Sequence, residues 1–396
     1  MRLAFVTTQF PFGPKESFLE AEVRAVRELV DELLIFAVRP ASSTPRVEVE
    51  AWSLRATDVA TISAAARTFL RHPIQAASVV SGIFDRQSRP GARLKNALVL
   101  HQGLALADVV RRKRIDHIHA HWLTTASTIA MIASESTGTP WSCTGHRFDI
   151  FAGNALHRKA RSARFMRVVC ERARDDLVDR IGDDDRAKVT VVHMGVTLPE
   201  LSTTPTRRDG LRLLCAANLV PVKGHKILLD ALKIVTANGL HVHCDLAGDG
   251  PERRHIAEAL ERLELSDVVT LRGHVPHSIL MGELRTGRYD AVTLASLESG
   301  TEHEGIPVFL MEAMAAGVPC IATRTGAIPE LLNVSCGVLV EQRDPQAMAS
   351  AFRRLFEDFE LRRSLASAAR ARVANDFDAA RTAEQLLALV NGTSKS

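Results

Sequence analysis

Short runs of consecutive apolar residues alternate along the chain with longer segments in which apolar positions recur every three or four residues. The runs are typical of buried strands, and the longer segments are typical of amphipathic helices. Because the two patterns follow each other in turn, they predict an α/β protein with doubly wound parallel sheets. The predicted strands span residues 3–7, 33–38, 117–121, 141–144, 168–170, 189–193, 211–217, 241–247, 268–271, 289–296, 320–323 and 338–340.

This strand and helix series occurs twice, which predicts two domains. A polar, turn-rich segment at residues 199–210 separates the two series and is expected to be a linker. The length of 396 residues also exceeds what one ordinary hydrophobic core organises. We therefore expect an N-terminal domain at residues 1–198, a second domain at residues 211–375 and a C-terminal segment at residues 376–396.

Composition and charge argue against several classes of protein. The net charge of +4 is small and spread over both halves, so nucleic acid is not an expected partner. No apolar run is long enough to span a bilayer, and Met1 leads directly into the first strand without a signal peptide, so we expect a cytoplasmic protein. The six cysteines are scattered without a C-x-x-C pair, which favours buried, reduced thiols.

One basic region, residues 55–114, allows two interpretations. Its helical segments interleave cations with large apolar residues, as in helices that lie on the surface of an anionic membrane. Solvated helix faces over a core explain the same pattern and are the more common case. The first interpretation predicts peripheral contact with the inner face of the cell membrane. The cations are Arg67, Arg71, His72, Arg86, Arg89, Arg93, Lys95, Arg111, Arg112, Lys113 and Arg114.

Two carboxylates bracket the start of an apolar helix at Glu304-Gly-Ile-Pro-Val-Phe-Leu-Met-Glu312. Gly305 allows the backbone to approach a ligand closely, and Pro307 suits the first turn of a helix. The N-terminal amides of such a helix, with its dipole behind them, can bind anions or hydroxyl groups. The alternative is an ordinary amphipathic helix with two solvated glutamates. Since the segment follows one apolar strand and precedes another, Glu304 and Gly326 are expected at the carboxyl edge of a parallel sheet, where ligands bind.

The segment also resembles a known signature. Glu304-Gly-Ile-Pro, then Met311-Glu-Ala-Met-Ala-Ala-Gly-Val-Pro319 and Gly326-Ala-Ile-Pro-Glu330, is similar to the motif of the retaining GT-B glycosyltransferases of family 4, the glycosyl transferases group 1. The branch that builds bacterial exopolysaccharides of the colanic acid type is the most similar. The resemblance implies two Rossmann-like domains that face a central cleft, an acceptor-binding N-terminal domain, a nucleotide-sugar-binding second domain, and a last helix that packs back on the first.

The resemblance further implies an activity. The chain would be a retaining hexosyltransferase that moves a sugar from a UDP-, GDP- or dTDP-sugar to a hydroxyl acceptor, which is a saccharide, a lipid-linked sugar or a small molecule. No divalent metal and no cofactor would be required. The product would be a polysaccharide, a glycolipid or a glycosylated metabolite.

Lys223 is the first candidate for chemistry. It lies in a glycine-containing turn between a strand and a helix, where it can neutralise a diphosphate, although the turn is not a P-loop. In the family a lysine here holds the leaving diphosphate, and Asn218 stands where relatives commonly carry an arginine. The resemblance assigns sugar hydroxyls to Glu304 and the ribose to Glu312. The implied donor-binding set is Lys223, Asn218, Glu304, Gly305, Ile306, Pro307, Glu312, Gly248, Gly273 and Val275, of which Lys223 and Glu304 are also catalytic.

Histidines mark the expected acceptor side. His117, His119 and His121 alternate along one strand and therefore share a face, which leaves metal ligation open as a minor alternative. The resemblance instead implies that His121 and, beside it, His119 face the acceptor. It implies a catalytic His146 that contacts the transferred sugar, and a Gly13 that lies close to donor or acceptor.

Two other functions share this architecture. Sugar-nucleotide 2-epimerases bind the same donor and need no acceptor, and non-catalytic GT-B subunits assist a partner. The joint presence of Lys223, Glu304 and Glu312 argues against a non-catalytic subunit, because such a subunit does not need this set.

Overall fold

The computed structural model describes residues 1–13, 16–42, 44–45, 47–75, 90–201, 207–300 and 302–393. The chain divides into two compact units. The first comprises Met1–Gly195 and Ala379–Ser396, and the second comprises Val196–Asp378. Residues 202–206 of the expected linker and residues 76–89 of the basic region lie outside the described residues.

The described part of the first unit is built on a seven-stranded parallel sheet with the order β3-β2-β1-β4-β5-β6-β7. Its central strands are buried along almost their whole length because both faces are covered, as expected of a parallel sheet. The strands are β1 (Arg2–Thr7), β2 (Glu32–Ala37), β3 (Glu50–Ser53), β4 (His117–His121), β5 (Trp141–Gly145), β6 (Met166–Val168) and β7 (Val189–Val191).

Helices surround this sheet, and the last of them comes from the C-terminal end of the chain. It packs against the first helix through a buried stripe that includes Ala383, Leu386 and Val390. The described helices of the unit are α1 (Leu19–Leu29), α2 (Val59–Arg71), α3 (Pro90–Leu98), α4 (Leu100–Lys113), α5 (Thr125–Thr137), α6 (Phe148–Phe151), α7 (Leu156–Ser162), α8 (Glu171–Ile181) and, after the second unit, α16 (Ala379–Asn391).

In the described part of the second unit, six parallel strands have the order β10-β9-β8-β11-β12-β13. The strands are β8 (Leu211–Ala216), β9 (Val242–Ala247), β10 (Val269–Gly273), β11 (Ala291–Leu294), β12 (Cys320–Thr323) and β13 (Val338–Val340). The helices are α9 (His225–Ala237), α10 (Arg253–Arg262), α11 (His277–Arg285), α12 (Val308–Ala315), α13 (Ile328–Leu331), α14 (Pro345–Glu357) and α15 (Phe359–Asp376).

The strand order reverses direction at one place in each sheet. In the first sheet β1 lies between β2 and β4, and in the second β8 lies between β9 and β11. At such a switch point the loops after the two neighbouring strands turn to opposite faces and leave a crevice at the carboxyl edge, where ligands of doubly wound sheets bind. The second unit therefore places its crevice between the loop that follows β8 and the loop that follows β11.

The predicted α/β class with two parallel sheets is confirmed. The predicted strands at residues 117–121, 320–323 and 338–340 have the observed bounds, whereas the run at residues 168–170 was placed too late by two residues. Strand β3 escaped prediction because its sequence, Glu-Ala-Trp-Ser, is half polar, as suits an edge strand with exposed ends. All six cysteines lie in described ranges, and all are buried.

Two glycines at the edge of the second sheet differ in what surrounds them. Gly326 has φ +52°, and a β-carbon on it would lie 1.9 Å from the carbonyl oxygen of Glu304. That distance is far inside van der Waals contact, so the two loops meet backbone to backbone and the position requires glycine. A β-carbon on Gly305, in contrast, would have no atom within 4 Å.

Gly326→Ala is expected to lower the free energy of unfolding by more than about 1 kcal/mol, because alanine must adopt a left-handed conformation and push the Glu304 loop away. Gly305→Ala is the matched control, for which we expect no loss within about 0.5 kcal/mol. Urea denaturation followed by circular dichroism measures both. Equal stability of the two variants would contradict the backbone contact between the loops.

Candidate functional site

An ion pair joins the two loops at the crevice of the second unit. Lys223 ends a 3₁₀ turn (Pro221–Lys223) after β8, and Glu304 lies in the loop between β11 and α12. The Nζ atom of Lys223 is 2.5 Å from Oε1 of Glu304, with 21% and 12% of the two side chains exposed. Such a charge-assisted hydrogen bond fixes both side chains and leaves one edge of each open to a ligand.

Backbone and side-chain contacts hold Glu304 from behind. The hydroxyl of Ser296 donates to Oε1 of Glu304 at 2.7 Å, and the amide of Ala327 donates to the Glu304 carbonyl at 3.0 Å. Gly224 repeats the close approach seen at Gly326, because a β-carbon there would overlap the carbonyl of Ala295. The loops that carry Lys223 and Glu304 are thus locked to the ends of the strands.

A cavity of about 240 Å³ opens beside the ion pair. The end of β8, strand β11 and the first turn of α12 form its walls, so the positive end of the α12 dipole lies at the cavity. Among the described residues that line it, Lys223 is the only cation and Glu304 the only anion. The lining residues are Ala216, Ala217, Asn218, Lys223, Val292, Thr293, Leu294, Glu304, Pro307, Val308, Phe309 and Leu310.

Asn218 is exposed and shares this cavity with Lys223, so the structure brings together the lysine and the position where relatives commonly carry an arginine. Pro307 is the residue directly before α12, not part of its first turn, and with Gly305 and Ile306 it is half-buried. Gly305, Ile306 and Pro307 lie on the loop that enters α12, as the sequence predicted.

The remaining predicted donor residues lie outside the lining of that cavity. The carboxylate of Glu312 accepts a hydrogen bond from Nε2 of His277 at 2.7 Å. The amide of Gly248 donates to the carbonyl of Gly273 at 2.8 Å, which ties together the loops after β9 and β10. Val275 follows two residues later and is half-buried. A role for these residues stays a prediction.

His225 is a buried neighbour of Lys223 that the sequence did not single out. It starts α9, is 5% exposed, and neither of its ring nitrogens has a hydrogen-bonding partner among the described residues. Burial, and then the charge of Lys223, lowers the pKa of His225 to about 4. The ring is therefore neutral at pH 7 and does not compete with Lys223 for an anion.

The carboxyl edge of the first sheet carries a second organised region. The buried carboxylate of Glu16 accepts hydrogen bonds from the amides of Thr8, Gln9 and Phe10 and from the indole of Trp122. The loop that ends in Gly13 is thereby fixed to the residue that follows β4. Gly13 itself is half-buried, and a β-carbon on it would lie 3.1 Å from Ala41 and from Gln9.

Backbone strain concentrates at this edge. Glu16, Trp122 and Arg147 have φ values of +63°, +78° and +146°, which residues other than glycine rarely adopt. All three lie in loops that follow β1, β4 and β5, neighbours in the sheet. Strained residues persist where the surrounding contacts enforce them, and they cluster at functional sites.

His146 lies within this strained region. Its ring centroid is 4.4 Å from that of Trp122 and 5.1 Å from that of Phe18. Its backbone amide donates to the buried carboxylate of Asp149 at 3.0 Å, and Asp149 also accepts from the amide of Leu123. Burial holds the pKa of His146 well below its ordinary value.

A contact of His119 or His121 with the acceptor stays a prediction. Both side chains are fully buried. His119 makes hydrogen bonds to the hydroxyls of Ser142 and Thr144 on β5, and His121 packs edge-on against Phe5. Strand periodicity correctly put the histidines on one face, but that face is covered by the interior of the unit. The described residues also contain no group of three or more potential metal ligands, so the metal alternative for these histidines gains no support.

Sequence reasoning missed several residues of both regions, among them Glu22 and Arg167, which form a buried ion pair beside His121. Their signal was present in the sequence, since an arginine inside the apolar run Phe165-Met-Arg-Val-Val169 needs a buried partner. Ser296 and Asp149 carried no comparable signal, because each acts only through the loop that it holds.

The chain is similar in sequence to known proteins over part of its length. The family model of the glycosyl transferases group 1 matches residues 203–372, most of the second unit. The putative colanic acid biosynthesis glycosyltransferase WcaL of Salmonella typhimurium is 32% identical over 211 residues, 51% of each chain. The amylovoran biosynthesis glycosyltransferase AmsK of Erwinia amylovora is 33% identical over 197 residues, 48% of this chain and 47% of that protein. The match thus spans about half the length of these relatives.

The fold extends over the whole chain. The crystal structure of Anabaena Alr3699/HepE in complex with UDP superimposes with a TM-score of 0.71 and 18% identity, and covers 99% of this chain and 100% of that one. At that identity the likeness concerns the fold alone. It shows that the chain has the GT-B fold. The sequence of residues 203–372 is similar to the glycosyl transferases group 1.

Proposed function

We propose that the chain is a retaining glycosyltransferase that moves a hexosyl group from a nucleoside-diphosphate sugar to a hydroxyl group of an acceptor. The observation that carries the proposal is the ion pair of Lys223 and Glu304 at the mouth of the α12 cavity. It combines a cation for a diphosphate with a carboxylate for sugar hydroxyls, at the switch point of the sheet. The similarity of residues 203–372 to the glycosyl transferases group 1 supports the same function.

Charge development explains why this pair suits glycosyl transfer. As the anomeric C–O bond breaks, positive charge grows on the sugar ring and negative charge grows on the departing diphosphate. Lys223 and the N-terminal end of α12 stabilise the diphosphate, and Glu304 orients the sugar through its hydroxyls. Since Lys223 is already held by Glu304, little reorganisation is needed when the diphosphate arrives. We assign the ribose to Glu312 and the nucleobase to the loops of Gly248 and Gly273.

Metal independence is part of the proposal. Within the described residues no set of His, Cys, Asp and Glu side chains is arranged to hold a metal ion. Lys223 and the helix dipole supply positive charge where a metal-dependent transferase uses a divalent cation. Retention at the anomeric carbon follows as a proposal from the family.

The acceptor and the pathway are proposed by similarity. WcaL and AmsK are described as glycosyltransferases of colanic acid and amylovoran biosynthesis, and Alr3699/HepE was crystallised with UDP. We propose that the present chain adds a sugar to a saccharide or lipid-linked saccharide during exopolysaccharide synthesis at the cytoplasmic side of the membrane, with UDP-, GDP- and dTDP-sugars as candidate donors.

Peripheral membrane contact is proposed from one face of α2. Thr61, Ala64, Ala65 and Thr68 are buried, and Thr68 donates to the Leu104 carbonyl of α4. The opposite face is exposed and apolar, and cations flank it. The exposed apolar residues of α2 and α3 are Val59, Ile62, Phe69, Leu70, Leu94 and Leu98, and the exposed cations are Arg67, Arg71 and Lys95.

This arrangement fits an anionic bilayer surface, where the apolar side chains enter the headgroup region and the cations remain with the phosphates. Among the described residues no helix is both long and apolar enough to cross a membrane.

Lys223→Ala and Glu304→Gln are expected to separate binding from transfer. Truncation of Lys223 breaks a partly desolvated contact with the diphosphate, worth about 2–4 kcal/mol, so nucleotide affinity falls roughly thirty- to thousandfold. Glu304→Gln keeps the shape and frees Lys223, so affinity for the nucleoside diphosphate stays equal or rises while transfer falls by about a hundredfold or more. Calorimetric titration with UDP, GDP and dTDP and a radiolabelled transfer assay measure the two effects.

Lys226→Ala is the matched control for this pair, since Lys226 is an exposed lysine three residues further along, and neither affinity nor transfer should change. Asn218→Arg in the Lys223→Ala background should restore part of the lost affinity. Turnover of the nucleotide sugar without acceptor would indicate an epimerase. Wild-type affinity and transfer in Lys223→Ala would place the diphosphate elsewhere.

Treatment with EDTA should leave the transfer rate unchanged, because Lys223 and the α12 dipole provide the charge that stabilises the leaving group. The rate is measured before and after dialysis against the chelator. Magnesium-saturated EDTA serves as the control for effects of the chelator itself. A loss of activity that Mg²⁺ or Mn²⁺ restores would contradict the metal-independent mechanism.

The α2 face should bind vesicles that contain anionic phospholipid and not vesicles of phosphatidylcholine alone, with binding that weakens as salt is added. Phe69→Ser with Leu70→Ser should lower the partition coefficient at least about tenfold, because each buried apolar side chain contributes about 1.5–3 kcal/mol. Val334→Ser, at a 91% exposed apolar residue of the second unit, is the control. Equal sedimentation of all three proteins would contradict the assignment of this face.

A further inference from the structure

A chain of buried polar contacts crosses the first unit and ends at His146. It starts at Arg167 on β6, whose Nε and Nη2 atoms donate to the carbonyls of Val192 and His193, each at 2.8 Å. Its Nη1 atom donates to Oε2 of Glu22 on α1 at 2.5 Å. The side chains of Arg167 and Glu22 are both 0% exposed. Backbone carbonyls thus fix the guanidinium, and the guanidinium fixes the carboxylate.

The second oxygen of Glu22 faces His121. Its Oε1 atom lies 3.3 Å from Nε2 of His121, also 0% exposed, and neither atom has a hydrogen-bonding partner among the described residues. A carboxylate so close stabilises a proton on the nitrogen that faces it. Burial alone would raise the pKa of Glu22, but Arg167 and His121 outweigh it and hold that pKa far below its ordinary value, so Glu22 is charged.

The position of the proton on His121 also determines the position of the proton on His146. Its Nδ1 atom is 3.3 Å from Nε2 of His146, and a neutral imidazole has one donor and one acceptor nitrogen. With its proton on Nε2, His121 accepts at Nδ1, so His146 donates from Nε2. The Nδ1 atom of His146 then carries a lone pair, and within the described part of the chain no hydrogen bond to that atom occurs.

We propose that Glu22, held by Arg167, is a positioning residue that sets the tautomer of His146 through His121, so that Nδ1 of His146 accepts a hydrogen bond from a hydroxyl group of the sugar substrate. The proposal rests on the proposed glycosyltransferase function for the identity of the ligand. His121 is therefore the residue that orients the contact instead of making it. Trp122 and Phe18 pack against the His146 ring and against each other.

Three further groups lie near the two histidines. His119 from the same strand is neutral, because burial holds its pKa well below the ordinary value. The pKa of His146 is lowered in the same way. Glu22 from α1 and Arg167 from β6 are the fixed charges that face His121.

Nitrogen-15 NMR of the histidine-labelled protein at pH 7 tests the tautomer directly, without any sugar. Long-range proton–nitrogen correlations distinguish the two neutral tautomers, and His146→Gln identifies the signal. We expect the Nε2–H form of His146 in the wild-type protein. The Nδ1–H form, or a doubly protonated ring, would overturn the proposal whether or not the chain transfers sugar.

Glu22→Gln tests the role of the carboxylate. The variant keeps the shape of the side chain and removes its charge, so His146 should populate both tautomers. The kcat of transfer should fall about tenfold, as for loss of one hydrogen bond, while the KM for the nucleotide sugar changes by less than about twofold. Asp290→Asn is the matched control, since Asp290 forms a comparable buried pair with Arg362 at 3.0 Å in the second unit.

Unchanged His146 signals in folded Glu22→Gln would overturn the role of Glu22, and an altered tautomer with an unchanged kcat would overturn the contact with a substrate hydroxyl. Should the lone cation of Arg167 prevent folding, the double variant Glu22→Gln with Arg167→Met removes it and gives the same readouts. Failure of the wild-type protein to transfer sugar from any nucleotide would refute the proposed function and leave the NMR result standing.

Discussion

The hydrogen-bonded ion pair between Lys223 and Glu304 is the interaction on which the organisation of the second unit's edge depends. Each partner is partly buried in a loop, and either charge alone would be costly to hold there. Together they fix the positions of the loops after β8 and β11. At Gly224 and Gly326 the loop backbones approach closely, because glycine has no side chain that would keep them apart. The pair therefore holds the two loops together and also presents both of its charges to the cavity.

In the first unit, buried carboxylates hold the carboxyl edge of the sheet in place. Glu16 is satisfied by backbone amides and an indole, Asp149 by backbone amides, and Glu22 by a guanidinium and a histidine. Each one fixes a loop or ring at the carboxyl edge of the sheet, and three strained residues remain in place as a result. Such an edge is rigid before a ligand arrives, which lowers the entropic cost of ordering it at the moment of binding.

The sequence was sufficient for the class of fold and for the neighbourhood of Lys223 and Glu304, because both residues follow apolar runs whose carboxyl ends meet in a parallel sheet. It could not supply the hydrogen bond between them, since residue spacing carries no distance across 81 positions of chain. Glu22 was hidden for a different reason. A glutamate on an amphipathic helix is expected to be solvated, and only its contact with Arg167, 145 positions away, makes burial favourable. The histidines of β4 were assigned to the correct face, but the pattern does not say what covers that face.

The buried cysteines have a practical consequence. Burial raises the pKa of Cys143 and of Cys215 to about 12, so these thiols are protonated as well as shielded at neutral pH. Oxidants and alkylating reagents act on exposed thiolates, and Cys143 and Cys215 offer neither exposure nor charge in the native chain. Cys143 and Cys170 belong to the first unit, whereas Cys215, Cys244, Cys320 and Cys336 belong to the second. The rate at which a thiol is modified therefore measures how often the unit that contains it unfolds. The unfolding of each half of the chain can be followed separately in this way.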